Sequence, residues 1–310
     1  MSNTHSSTSK HSRPPVSPRQ PTAPEIVDPR WILKAFGVAA AIALVCAYIV
    51  LCVAFHYTQW EYVLSPSREV KATPASVGLS FSGVRFGVDA SGQPQLDGWW
   101  IPSDSSADPT VLMLHRGDGS ISDAIPQAKL LHDARLNVLL FDYRGYGKSG
   151  GQHPTEALME GDAESALTYL TQTRGLQPAN ILVYGNGLGA SLAATLCQHH
   201  NHLSALLLES PEGDMEDRVL HDNRVKLVPA RWLFTQRFPL AATLHELSTP
   251  KLIISYADKQ PQKLRDAGDP KMTVEFKSAQ DPSALDQVIR RFLDTYLTQT
   301  PSALTAPTHP

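Results

Sequence analysis

Three cysteines in 310 residues are too few for a disulfide framework, and no cysteines or histidines stand at metal-ligand spacing. Neither a metal site nor a cofactor is expected. Charge of one sign is lacking too. The 27 Lys and Arg against 30 Asp and Glu leave a net charge of −3, without the basic excess of a nucleic-acid-binding domain. Large apolar residues are scarce in Met1 to Pro29, a stretch rich in Ser, Thr, Pro and His that cannot bury enough surface to order itself. Histidine is missing between His245 and His309, an absence with chemical consequences below.

Ala35 to Phe55 holds no charged residue and is long enough to cross a bilayer of ~30 Å as a helix. It shows no polar face, unlike a buried soluble helix. Trp31, Tyr57, Trp60 and Tyr62 flank it as an interfacial aromatic belt would. Lys10, Arg13, Arg19, Arg30 and Lys34 precede the run, so the positive-inside rule puts the N-terminus in the cytoplasm and the main domain outside it, in the periplasm if the source is Gram-negative. A cleaved signal peptide is the competing reading. The run is longer than an ordinary signal core and its leader is extended, so an uncleaved anchor is preferred. The expected organisation is a disordered cytoplasmic tail (1–30), a membrane helix (31–57), a linker (58–72), one folded domain (73–297) and a disordered C-terminal tail (298–310).

Within 73–297, strand-length apolar runs occur at Val77 to Phe86, Gln95 to Pro102, Thr110 to Leu114, Asn137 to Asp142, Ile181 to Tyr184, Ala205 to Leu208, Lys251 to Tyr256 and Met272 to Phe276. From the third onward most are continuously apolar, as strands covered on both faces are. Helical periodicity marks Ile121 to Ala134, Thr155 to Thr173, Leu188 to His199, Met215 to Phe238 and Ala284 to Leu297. Such alternation specifies an α/β domain of three layers. Its eight-stranded, mostly parallel sheet leaves room for a small cap at most, around Gly213 to Leu240.

Two motifs carry the chemistry. Ile181 to Ala194, ILVYGNGLGASLAA, is a β-branched strand, a glycine-punctuated turn and an Ala/Leu-rich helix. That is the setting of the G-x-S-x-G nucleophile elbow, with Gly187 where the serine would stand. Upstream, Asn137 to Gly151 reads NVLLFDYRGYGKSGG. Together these motifs resemble the α/β-hydrolase superfamily, nearest the membrane-anchored branch that includes S33-type peptidases, lysophospholipases, acylglycerol lipases and thioesterases. The resemblance covers about Thr73 to Leu297 and implies an α/β-hydrolase fold.

A serine hydrolase needs a nucleophile, a base, a carboxylate that orients the base, and oxyanion donors. By the resemblance, the nucleophile position is Gly187, which has no side chain. Asp258, in Ser255-Tyr256-Ala257-Asp258, stands at the acid position. Gln280 stands at the base position, where an amide cannot carry the proton that imidazole would. In the H-G-x-x-G loop after the third strand His115 is kept and Arg116 replaces glycine. Gly117 and Leu188 are the oxyanion-like positions, through their backbone N–H groups. Arg116 either points into the cleft, favouring a carboxylate or phosphate, or lies on the surface, which is preferred. Ser191, a helical turn beyond the elbow, is expected to be a packing residue. His199, His200 and His202 are read as a solvated helix end. Gly185-x-Gly187-x-x-Ala190 with Glu209 imitates a dinucleotide fingerprint, but it lies mid-sheet, and Glu209-Ser210-Pro211 matches the hydrolase pattern by itself.

The expected protein is thus a membrane-anchored α/β-hydrolase-fold protein without a serine-hydrolase triad. It would act in binding or scaffolding, with the lipid bilayer and a small acyl or anionic ligand or a protein as partners, and no nucleic acid. The alternative is an active esterase, lipase, thioesterase or peptidase with non-standard catalytic residues.

Overall fold

A computed structural model describes residues 29–88, 91–256, 264, 266–277 and 282–297. The expected N-terminal tail up to residue 28, the C-terminal tail 298–310, Asp258 and Gln280 lie outside the described residues. The chain divides into two units, residues 1–50 and 51–310. In the first, helix α1 (Pro29–Thr58, running past the division) exposes almost all its side chains and is long and apolar enough to cross a membrane.

The second unit is built on one eight-stranded sheet. Its strands are β1 (Ser82–Val88), β2 (Pro94–Ile101), β3 (Thr110–Leu114), β4 (Asn137–Phe141), β5 (Ile181–Asn186), β6 (Ala205–Glu209), β7 (Lys251–Tyr256) and β8 (Lys271–Phe276). They lie in the order β8-β7-β6-β5-β3-β4-β2-β1. Only β2 pairs antiparallel with its neighbours, β1 and β4; the other pairs are parallel. Successive side chains of a strand point to opposite faces, so each central strand feeds two cores. Leu112, Leu114, Leu139 and Val183 meet α3 (Glu156–Thr168) and α4 (Gly189–His199) on one face. Val111, Met113, Val138, Leu140 and Leu182 meet α2 (Ile125–Asp133) and α8 (Pro282–Tyr296) on the other. Burial on both faces explains the unbroken apolar runs, and the three-layer α/β architecture is as expected.

Two expected elements need correction. The first strand begins at Ser82, because Pro74–Val77 forms a 3-10 turn closed by Gly78 in the left-handed region. The helix expected over Met215 to Phe238 is broken into α5 (Met215–Leu220), a 3-10 turn (Asn223–Val225) and α6 (Ala230–Leu233). Asp222 accepts from the Arg224 N–H at 2.8 Å and starts a new turn, and Pro229 lacks the N–H that would carry a helix across the gap. A further helix, α7 (Ala241–Glu246), was not in the expected set. The broken segment is the small cap. Val219, Val225, Ala230 and Phe234 form a separate core there with Phe55 from the end of α1.

Candidate functional site

At the end of β5 the chain turns through Gly187 into α4. Gly187 has φ +57, the left-handed region that L side chains rarely adopt. Its N–H donates to the Glu209 carbonyl at 3.1 Å, and its own carbonyl accepts from Ala190 and Glu212 N–H at 3.2 and 2.9 Å. The helix packs tightly against the sheet at Gly189, where a Cβ would stand 2.3 Å from the Leu114 carbonyl oxygen. The strand-turn-helix is therefore built, with the backbone groups of Gly187 bonded and no side chain at its apex. Ser191 is buried, and its hydroxyl donates to the Pro239 carbonyl at 2.6 Å, in keeping with a packing role.

The loop after β3 fills the space over the elbow. A Cβ on Gly187 would meet the Arg116 Cγ at 3.1 Å. The Arg116 guanidinium donates to both carboxylate oxygens of Asp118, at 2.9 and 3.2 Å. Its side chain remains 56% exposed, so Arg116 covers the elbow with its stem and keeps its charge in water. The two placements weighed for this residue are both realised in part. Asp118 as its partner was not read from the sequence, although an Arg two residues before an Asp in a glycine turn is a usable signal.

The loop is strapped from outside. Ser65 and Ser67 donate backbone N–H bonds at 2.8 Å to the carbonyls of Gly117 and Gly119, forming a two-residue parallel ladder between Ser65–Pro66 and Asp118–Gly119. The Tyr146 hydroxyl gives the Gly117 carbonyl a second bond at 2.8 Å. A Cβ on Gly117 would lie 3.4 Å from the Leu188 Cβ, so these two residues stand side by side at the mouth of the elbow.

Beneath the loop lies a buried His–Asp pair. The β3–β4 register puts Val111 beside Val138 and Met113 beside Leu140, and one step past the strand ends it brings His115 beside Asp142. His115 Nε2 stands 4.0 Å from Asp142 Oδ1, beyond hydrogen-bond reach, and neither Nε2 nor Asp142 Oδ2 has a hydrogen-bond partner. Burial lowers the imidazole to about 4. Burial likewise pushes the carboxyl up to about 7, although Oδ1 accepts from the Ile121 N–H at 2.9 Å. The imidazole is neutral near pH 7, and it is wedged against Tyr143 and Tyr146, with ring centroids 4.4 and 5.3 Å away.

A second polar cluster closes the ends of β5, β6 and β7. Glu209 accepts hydrogen bonds from the hydroxyls of Tyr184 and, at 3.0 Å, Tyr256. Asn186 donates to the Tyr184 hydroxyl at 3.1 Å. Burial first, and then the Glu209 charge, raise the Tyr184 phenol well above its ordinary value and keep it a donor. Glu209 has both oxygens engaged and does not present a carboxylate to a ribose.

Two cavities flank Arg116. One, of about 260 Å³, is lined by His115, Ser120, Asp123 and Asn186 among others. The other, of about 230 Å³, is lined by Tyr62, Gly117, Leu188, Glu212 and Arg218. Arg116 and Asp118 border both. Among the described residues no group of three or more His, Cys, Asp or Glu is placed to hold a metal ion. Asp258 and Gln280, which the resemblance puts at the acid and base positions, come after β7 and β8 in sequence and fall outside the described residues.

A family model described as serine aminopeptidase, S33, matches residues 105–290. The chain belongs to this S33 family of α/β hydrolases. Among its relatives, the uncharacterized protein Rv2307c of Mycobacterium tuberculosis is 29% identical over 276 residues, spanning 84% of this chain and 95% of that protein. The protein bem46 of Schizosaccharomyces pombe is 28% identical over 198 residues, 61% of this chain and 64% of its own length. The Pyrococcus furiosus esterase Pf2001 superposes with a TM-score of 0.59 at 18% identity, over 76% of this chain and 98% of that one. At such identity the likeness speaks for the fold alone. Within the S33 fold, then, this chain carries the strand-turn-helix of the elbow with glycine at its apex and an Arg–Asp pair laid over it.

Proposed function

We propose that this S33-family chain is a single-pass membrane protein whose extracytoplasmic α/β-hydrolase domain binds rather than hydrolyses. The observation that carries the reading is Gly187, in left-handed backbone with the Arg116 stem 3.1 Å from where a side chain would begin. No hydroxyl is available at the elbow to attack a carbonyl, and glutamine at position 280, assigned to the base position by resemblance, could not take its proton. Losing either partner of such a pair alone removes several orders of magnitude in rate.

The remaining apparatus suits an anionic group. The Leu188 N–H opens an eleven-residue helix, where backbone donors lack intrahelical partners and the dipole favours negative charge. Gly117 beside it and the guanidinium groups of Arg116 and Arg218 border the same cavity of about 230 Å³, with Asp118 and Glu212 in the lining as their exposed partners, which an anion would have to displace. A small carboxylate or phosphate, with or without an acyl chain, is the ligand class this lining recognises, and the bilayer is the protein's second partner.

A fluorophosphonate probe and p-nitrophenyl esters test the reading on the full chain in detergent. We expect no covalent labelling, and ester cleavage no faster than with heat-unfolded protein. Stoichiometric labelling at any serine would establish the competing reading, a hydrolase with non-standard residues, which family membership favours. The assignment of the two outlying positions is tested by building Gly187→Ser with Gln280→His. The pair is expected to give measurable ester hydrolysis that Asp258→Asn removes, and a folded but inert double variant would refute the assignment. For the topology, a reporter fused after Pro310 should read as extracytoplasmic; cytoplasmic activity would reverse it.

A further inference from the structure

Among the described residues outside α1, three large apolar side chains stand exposed: Val88, Leu227 and Trp232. The last two are five residues apart in the cap, 74% and 87% exposed. Cations accompany them in sequence, with Lys226 and Arg231 exposed and Arg224 exposed but paired with Asp222. A cluster of leucine and tryptophan set among lysine and arginine is the composition of a segment that lies in the headgroup region of a bilayer.

The inner side of this segment is fastened to the place where the apolar run ends. Phe55, the last residue of that run, is buried against Val225, Ala230 and Phe234. Gln59 Oε1 accepts from the Thr235 N–H at 2.6 Å. The Arg224 guanidinium lies 4.8 Å over the Tyr62 ring, which in turn meets Phe55 at 5.7 Å. The exposed pair is therefore carried by residues that touch the exit of the membrane helix. Trp232 is an amphipathic ring of the kind that sits at headgroup level, and at 87% it is the most exposed large apolar side chain among the described residues outside α1.

We infer that the cap segment Asn223 to Leu233 docks on the bilayer surface through Leu227 and Trp232, with Lys226 and Arg231 meeting anionic headgroups. The inference rests on reading α1 as a membrane anchor. It also bears on the proposed ligand. Arg218 of the cap and Tyr62 of the exit turn border the cavity beside Leu188, so a docked cap holds that cavity at the level of the headgroups.

The test uses the full chain with Cys46 and Cys52 changed to alanine. Cys197 can stay, since burial pushes its thiol up to about 12 and shields it from labelling. An environment-sensitive fluorophore is placed at Leu227→Cys and, as a control, at Gln287→Cys on α8, an exposed position outside the cap. The protein is reconstituted into phosphatidylcholine vesicles with and without phosphatidylglycerol, containing lipids that carry a nitroxide near the headgroup. Quenching at 227 should exceed that at 287 several-fold, rise with phosphatidylglycerol, and fall when Lys226 and Arg231 are both changed to glutamate. Equal quenching at the two sites, or efficient 227-to-227 crosslinking between copies without lipid quenching, would overturn docking on the bilayer. Retention of the same samples after alkaline carbonate measures the anchor separately. A chain that stays in the membrane with position 227 in water defeats only this inference. A chain that washes out defeats the anchor. In an unlabelled background with Trp31 and Trp60 changed to phenylalanine, Trp232→Phe should remove most of the tryptophan fluorescence that brominated lipids quench, and loss of only unquenched fluorescence would also overturn the inference.

Discussion

The elbow after β5 and the loop after β3 face each other across one cleft, and different forces fix them. The elbow is fixed by backbone. Gly189 lets α4 pack on the Leu114 carbonyl, and the carbonyl and N–H of Gly187 are all bonded. Chemistry could therefore leave position 187 while the turn kept its shape. The facing loop is fixed by side chains and by the strap over it, and beneath it lie polar groups without partners, His115 Nε2 at its start and Asp142 Oδ2 after β4. Buried polar atoms left unpaired cost stability, whereas a bonded glycine turn costs little beyond its entropy. The wall at Gly187 is the relaxed one; the wall that keeps its ionisable residues carries the strain of burial.

The largest expected effect sharpens this contrast through pH. Burial raises Asp142 from 3.8 to about 7 in the folded state. Below about pH 4 the carboxyl is protonated in both states; as pH rises toward 7 the unfolded chain ionises first, and wild-type stability falls. Asp142→Asn has no such loss, so its stability relative to wild type should improve between pH 4 and pH 8, by up to roughly 4 kcal/mol. His115, lowered to about 4, works in the opposite sense between pH 4 and 6.5; standing 4.0 Å from Asp142 it feels the substitution, so the same comparison is repeated in a His115→Gln background. Denaturant midpoints of the two proteins in detergent across this range provide the check. A flat difference would show that the loop wall bears no buried carboxyl penalty.

Next in size is Gly189→Ala, which drives a methyl into the Leu114 and His115 carbonyls at 2.3 and 2.6 Å. Backbone cannot rotate away as a side chain does, so the loss should reach the upper end of roughly 1–3 kcal/mol, read as a lowered midpoint. A neutral result would mean that the elbow is looser than its bonding indicates. Gly187→Ser should be milder, about 1 kcal/mol, because its strain is a left-handed φ and its nearest neighbour is the flexible Arg116 stem. Arg116→Ala in that background should return part of the loss, and a double-mutant cycle without coupling would separate Arg116 from the elbow. Arg116→Ala alone should be the smallest change, within about 0.5 kcal/mol, since its pair with Asp118 is solvent-exposed.

Much of the sheet was legible because β3 to β7 are buried on both faces and read as apolar runs. The elbow was legible because Gly185-Asn186-Gly187-Leu188-Gly189 is a local pattern whose meaning needs only the strand before it and the helix after it. The cap was misread as one helix, since its periodicity continues across Asp222 and Pro229 while its hydrogen bonds do not. The ladder between Ser65–Pro66 and Asp118–Gly119 and the pairing of Arg116 with Asp118 carried no periodic signal at all.

By itself the sequence determined that position 187 carries no side chain, because a side chain that is not encoded cannot be supplied by folding. It likewise determined the membrane-length run, because hydropathy over some twenty residues is a local sum. Only the tertiary structure decided what lies over position 187. His115 and Asp142 are 27 residues apart and meet only because β3 and β4 are parallel neighbours in one register. Arg116 lies over Gly187 only because β3 sits beside β5 in the sheet order. Leu227 and Trp232 are ordinary letters in a stretch whose periodicity predicts one helix, until the fold turns Val225, Ala230 and Phe234 inward onto Phe55 and leaves those two outside. Contacts of that kind depend on which strands become neighbours, and strand order is set by burying the whole core at once rather than by any local stretch of chain.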